Sequence, residues 1–190
     1  METLHTIACE AADQIPPQRV LRDQDRDVIR RHRDWLLTLG PDVAEAFGDV
    51  LYSRLPEGAG ASRESLENWW GRTVNGPWDD DYLAWMALVG LVHVTRRITN
   101  PMMLAASDHV VQLVADAAVL SGIPDDDRRA LLDAVGRVAG IVRVVIAWSH
   151  ERAVSAALYE AAGMPEGLLA RLRDQEVGAF LERARAELNL

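Results

Sequence analysis

The chain has 190 residues, a length that suits one domain with at most an extra terminal helix. With 49% hydrophobic and 26% charged residues and no low-complexity tract, it carries enough apolar mass for a core, which excludes disordered and fibrous classes. Twenty cations against twenty-nine anions give a net charge of −9, a field that repels nucleic acid and anionic lipid; every cation is arginine, so Schiff-base lysine and Walker-type phosphate chemistry are excluded as well.

The first eighteen residues lack the basic start and apolar run of a signal peptide, and the single Cys9 has no internal partner, so the expected compartment is the cytoplasm. Nothing near Cys9 in sequence would lower its pKa, and it reads as inert. Residues 18–34 hold six arginines and four aspartates, 6 − 4 = +2, too weakly basic for a DNA-reading helix-turn-helix. His32 lies in this Arg/Asp-rich stretch, on what reads as a solvent face.

From there proline opens segments and glycine closes them, the punctuation of an all-helical chain. Gly40-Pro41 starts a helix reaching about Arg54, and the weakly periodic 56–62 (PEGAGAS) predicts a flexible connection. Asp79-Asp80-Asp81 puts acid at a helix N-terminus, where the dipole favours it. Asn100-Pro101 offers a cap and a first-turn proline for a helix ending at Leu120, and Gly122 with Pro124 separates it from the next. That next helix, over about 125–160, would be roughly 50 Å long if Gly136 and Gly140 do not bend it. Gly163-Met164-Pro165 opens a last helix that reads as amphipathic through Leu168, Leu172, Val177, Phe180 and Leu181. Seven or eight helices are expected, and alternating strand patterns are missing.

No stretch approaches eighteen uninterrupted apolar residues; the richest, 138–148, carries Arg143 in its middle and does not read as a membrane span. Its sides are apolar nearly all round, which predicts that one face meets a second copy of the chain or the last helix.

Candidates for chemistry are sparse. The five histidines, at 5, 32, 93, 109 and 150, form no i, i+3 or i, i+4 metal pair, and HExxH, CxxC, GxSxG and GxGxxG patterns are missing. His109 shares a polar helix face with Gln112 and Asp116, and His150 beside Glu151-Arg152 suits an ion pair or an interface. His93 differs. Steps of three and four run Tyr82, Met86, Val89, His93, so its imidazole lies on an apolar stripe facing the core. By position alone it reads as a core histidine with one or two hydrogen-bond partners.

The string around it, 66–93, is LENWWGRTVNGPWDDDYLAWMALVGLVH. Its Trp69, its Gly76-Pro77-Trp78-Asp79 turn, its Tyr82 and its Val89-Gly90-Leu91-Val92-His93 run resemble the protoglobin and globin-coupled-sensor family. The resemblance continues more weakly over the N-terminal part (DVIRRHRDWLLTLGPDVAEAFGDVLYSRL) and reaches about residue 158. It implies an all-α, globin-like helical sandwich with an extra N-terminal helix and a C-terminal helix. The expected layout is one domain over 1–190, with the globin core at 18–160 and the additional helix at 164–190.

The resemblance also implies that His93 is the proximal ligand of the iron of haem b, its second ring nitrogen oriented by a hydrogen-bond acceptor. Phe47, Leu66, Trp69 and Val89 would wall the cofactor, and Arg96 and Arg97 would reach its propionates. The sixth position would take a diatomic gas, for sensing or gas handling. Where the family commonly has an aromatic-tyrosine pair, this chain reads Phe47-Gly48, so the usual distal donor is missing. Tyr52, Ser62 and Ser65 are the nearby polar candidates. Too few residues follow the long helix for a cyclase or kinase module, so a sensor would need a separate signalling partner; a homodimer through the two long helices of the C-terminal half is expected. A haem-free globin-fold interaction module is the competing reading.

Overall fold

The computed structural model describes residues 3–51, 55 and 60–188. Among them are nine α-helices, one 3-10 turn and no strand. The helices are α1 (Leu4–Ala12), α2 (Asp23–Arg31), α3 (Arg33–Thr38), α4 (Gly40–Leu51), α5 (Arg63–Asn75), α6 (Asp80–Thr95), α7 (Asn100–Leu120), α8 (Asp125–Ala162) and α9 (Glu166–Leu188). Tyr52 and most of the 56–62 connection lie outside the described residues.

Helix limits follow local chemistry. Ser62, Asp79 and Thr99 cap α5, α6 and α7 by accepting the backbone N–H of the third residue on, at 3.1, 3.0 and 3.4 Å. Thr99, not Asn100, is therefore the cap of α7. Residues 23–38 are two helices rather than one, divided at His32. That break turns the His32 ring inward: its side chain is 14% exposed and its Nε2 lies 3.8 Å from Asp127 Oδ2, which corrects its assignment to a solvent face.

The residues form two compact units, Met1–Glu151 and Arg152–Leu190, divided within α8. In the first, Leu36, Tyr82, Met86, Val114, Leu131 and Val145 are almost wholly removed from water and join one apolar cluster. Most of the apolar stretch of α8 is covered inside this unit: Val138, Ile141, Val142, Val145 and Ile146 are buried, while Ala139, Val144, Ala147 and Trp148 are half-buried. Helix α7 is long and apolar enough to cross a membrane by length and composition, yet its Met103, Ala106, Val110 and Val114 belong to the same cluster. An ionic clamp joins α2 to α8. Asp25, 2% exposed, accepts from Arg22 Nε and Nη2 at 2.8 and 2.7 Å and lies 3.5 Å from Arg137 Nε. These bonds, led by the one from Arg22, hold the Asp25 carboxyl below its ordinary range.

In the second unit no residue of α9 is buried. At 100° per residue Leu168 and Leu172 fall on one side of that helix and Val177 and Leu181 on the other, so the expected single apolar stripe is split.

Candidate functional site

The corner between α5 and α6 is tied by four polar contacts. Gly76 ends α5 at φ 63°, a conformation that favours glycine, and the Gly76–Pro77 bond is cis. Trp78 Nε1 donates to Thr73 O at 2.9 Å, and Arg72 Nη1 to Pro77 O at 2.9 Å. Asp79 caps α6, and the Thr73 and Tyr82 hydroxyls meet at 3.1 Å. Burial pushes the Tyr82 phenol up to about 12, so it stays protonated and able to donate.

Along α6 the stripe Tyr82, Met86, Val89, His93 runs from full burial to partial burial, and its half-buried end faces a cavity. Gly90 fixes how the helix is turned. A Cβ there would stand 1.9 Å from Ser149 Oγ and 2.6 Å from Ile146 O on α8. Ser149 is held in turn, donating to Val145 O and Ile146 O at 2.8 and 3.1 Å. The helix closes with Ile98 N–H donating to His93 O at 2.9 Å and Arg97 N–H to Val94 O at 3.2 Å, with Arg97 at φ 59° where glycine is usual.

The cavity measures about 290 Å³, at the lower end of small-molecule sites. Helix α4 gives it Phe47, α5 gives Ser65, Leu66 and Trp69, and α6 gives Trp85, Leu88, Val89, Val92, His93 and Arg96. Ile98, then Met103 and Ser107 of α7 and Val142 and Ile146 of α8, complete the lining with Ala61. Phe47 meets Trp69 edge-on with ring centroids 5.3 Å apart. A second, smaller apolar cavity of about 40 Å³ shares Trp69, Ser107 and Val142 with the first.

Six of the seven residues singled out from sequence line the larger cavity: Phe47, Leu66, Trp69, Val89, His93 and Arg96. Arg97 is exposed and is not among the lining residues. Ser65 is on the lining, whereas Ser62 serves as the α5 cap. Sequence reasoning missed the far wall, Met103, Ser107, Val142 and Ile146. They sit within ordinary apolar helix periodicity, and only Ser107 interrupts it with a polar group.

The chemistry converges on one ring. His93 Nδ1 is buried with no hydrogen-bond partner among the described residues, so the expected acceptor for its second nitrogen is not supplied there. Desolvation first, then the nearby His150 and Arg96, push its pKa down to about 4. At neutral pH the imidazole is neutral, with a lone pair on one nitrogen beside an apolar cavity. Among the described residues no three His, Cys, Asp or Glu side chains are grouped to hold a bare metal ion. An imidazole so placed suits a metal delivered by a cofactor, to which the protein would contribute one nitrogen donor.

A family model described as Protoglobin matches residues 20–142, more than half of the chain. No curated protein matches it.

Proposed function

The chain belongs to the protoglobin family, and from that membership we propose that it binds haem b through His93 and takes up a diatomic gas. What carries this reading is the His93 imidazole at the edge of an apolar cavity, neutral and with its buried Nδ1 engaged by no other side chain or backbone group among the described residues. A porphyrin is a flat apolar disc with charged edge groups, and the lining suits one. Leu66, Trp69, Val89 and Val92 offer apolar faces and exclude water, and exposed Arg96 offers a guanidinium for a propionate. Bound haem supplies an iron whose open position takes up a gas reversibly. His93 would hold the iron, and Phe47 and Trp69, packed edge to face, would limit the space left in the cavity. The proposal extends to a cytoplasmic homodimer that senses or handles the gas through a separate signalling partner. Val119 and Leu120 at the end of α7 are exposed and would be available to a second copy.

The test is an absorption spectrum of the purified protein after haem titration, taken as ferric, dithionite-reduced and carbon-monoxide-bound forms. The expected result is an intense Soret band that moves on reduction and with carbon monoxide. It is lost or altered in His93→Ala and restored by free imidazole in His93→Gly. A wild-type protein that stays colourless overturns the reading and leaves a haem-free interaction module.

A further inference from the structure

Arg143 interrupts the most apolar stretch of the sequence, and the fold gives it a use. Its Nε donates to Ser107 Oγ at 2.8 Å, and its Nη2 pairs with Asp108 Oδ1 at 2.7 Å. A guanidinium only donates, so Ser107 Oγ is the acceptor in this bond and keeps its own proton. A helical serine ordinarily hands that proton to a carbonyl one turn back, as Ser149 does to Val145 O. Ser107 forms no such bond among the described residues, and it lines both cavities beside Trp69 and Val142. The other hydroxyl on the lining, Ser65, is exposed and engages Ser62 Oγ at 2.8 Å. Arg143 itself lies just beyond the segment matched by the family model.

We infer that Ser107 is the hydrogen-bond donor to the gas ligand and that Arg143 is the residue that positions it. Gly48 of α4 offers no side-chain donor, whereas Ser107 offers one from α7. Arg143 anchors the oxygen, Asp108 anchors Arg143, and the free O–H is left for a ligand whose outer atom carries partial negative charge, dioxygen above all. The inference rests on the haem reading of the cavity.

The experiment compares wild type, Ser107→Ala, Ser107→Thr and Arg143→Met after haem loading. It reads the haem titration curve, the infrared stretching band of bound carbon monoxide and the dioxygen dissociation rate. Ser107→Ala should still develop a Soret band on haem titration, move the carbon monoxide band to higher wavenumber and speed dioxygen release roughly fivefold, the worth of one hydrogen bond. Ser107→Thr keeps the hydroxyl and should retain the wild-type band. Arg143→Met should shift it in the direction of Ser107→Ala, because the freed hydroxyl can turn back to its own helix. A normal Soret band with an unmoved carbon monoxide band and release rate in Ser107→Ala overturns the role of Ser107 and leaves haem binding intact. An unmoved band in Arg143→Met alone overturns the positioning role. No Soret band in wild type overturns this inference together with the reading on which it rests.

Discussion

Replacing Gly90 by alanine tests the contact that sets His93. In an open helix the change should stabilise, because alanine exceeds glycine by about 1 kcal/mol in helix propensity. Here the new methyl would lie 1.9 Å from Ser149 Oγ and 2.6 Å from the Ile146 carbonyl. The hydroxyl can swing away only by giving up its bonds to Val145 O and Ile146 O, and the carbonyl cannot swing at all without moving α8. Overpacking of this kind costs about 3 kcal/mol, so the net loss is about 2 kcal/mol, or roughly 4–8 °C in melting temperature for a chain of this size. Thermal and urea unfolding of the haem-free protein measure it. Adding Ser149→Ala relieves the shorter contact and should recover part of the loss. Gly71→Ala and Gly140→Ala, where a Cβ meets nothing within 4 Å, should have the opposite sign. If Gly90→Ala also stabilises, α6 and α8 do not approach as described, and the aim of His93 loses its explanation.

Arg97→Gly should raise stability by about 1 kcal/mol, since position 97 has positive φ, and should leave haem titration unchanged because Arg97 does not line the cavity. Weaker haem retention in that variant would instead restore the arginine as a propionate contact. Asp25→Ala leaves buried Arg137 without its nearest α2 partner and should cost about 3 kcal/mol in urea unfolding. The Asp25 carboxyl is held below its unfolded value, so its contribution is complete above the ordinary carboxylate pKa of about 4 and is lost as pH falls through the lower folded value. Stability of wild type should therefore drop in that acid window more steeply than that of Asp25→Ala; parallel profiles would contradict the linkage. Trp70→Phe removes the buried 2.8 Å bond from Nε1 to Leu36 O and should cost about 1 kcal/mol, read by the same unfolding curves.

Signals that act over one or two turns were legible in the sequence. Gly122 and Pro124 mark the break between α7 and α8, and α7 runs from Asn100 to Leu120 as its proline suggested, although the capping oxygen belongs to Thr99. The α5–α6 half of the cavity was equally readable, because Trp69, Val89 and His93 belong to one continuous string. Contacts between distant segments were not. His32 looks solvent-facing among arginines and aspartates, and only a helix break together with Asp127, ninety-five positions on, turns it inward. Gly90 was visible as a letter in a motif, but its reason lies in Ser149 and Ile146 on another helix. Arg143 looked like a flaw in an apolar run until α7 brought Ser107 and Asp108 to it.

The bonded corner at residues 76–79 also decides how the cavity can change size. Thr73, Trp78 and Tyr82 lock α5 to α6 at one end, while Leu66 and His93 lie on the opposite ends of the two arms. At 1.5 Å per residue Leu66 stands roughly 10 Å along α5 from Thr73, and His93 roughly 16 Å along α6 from Tyr82. The arms cannot slide past one another without breaking the corner, so adjustment is angular. A tilt of about 5° at the apex carries His93 by roughly 1.4 Å, comparable to one residue's rise along a helix. Gly90 lies one turn before His93 and abuts Ser149 and Ile146 of α8, so a tilt of that kind would move the contact between α6 and α8 together with the mouth of the cavity.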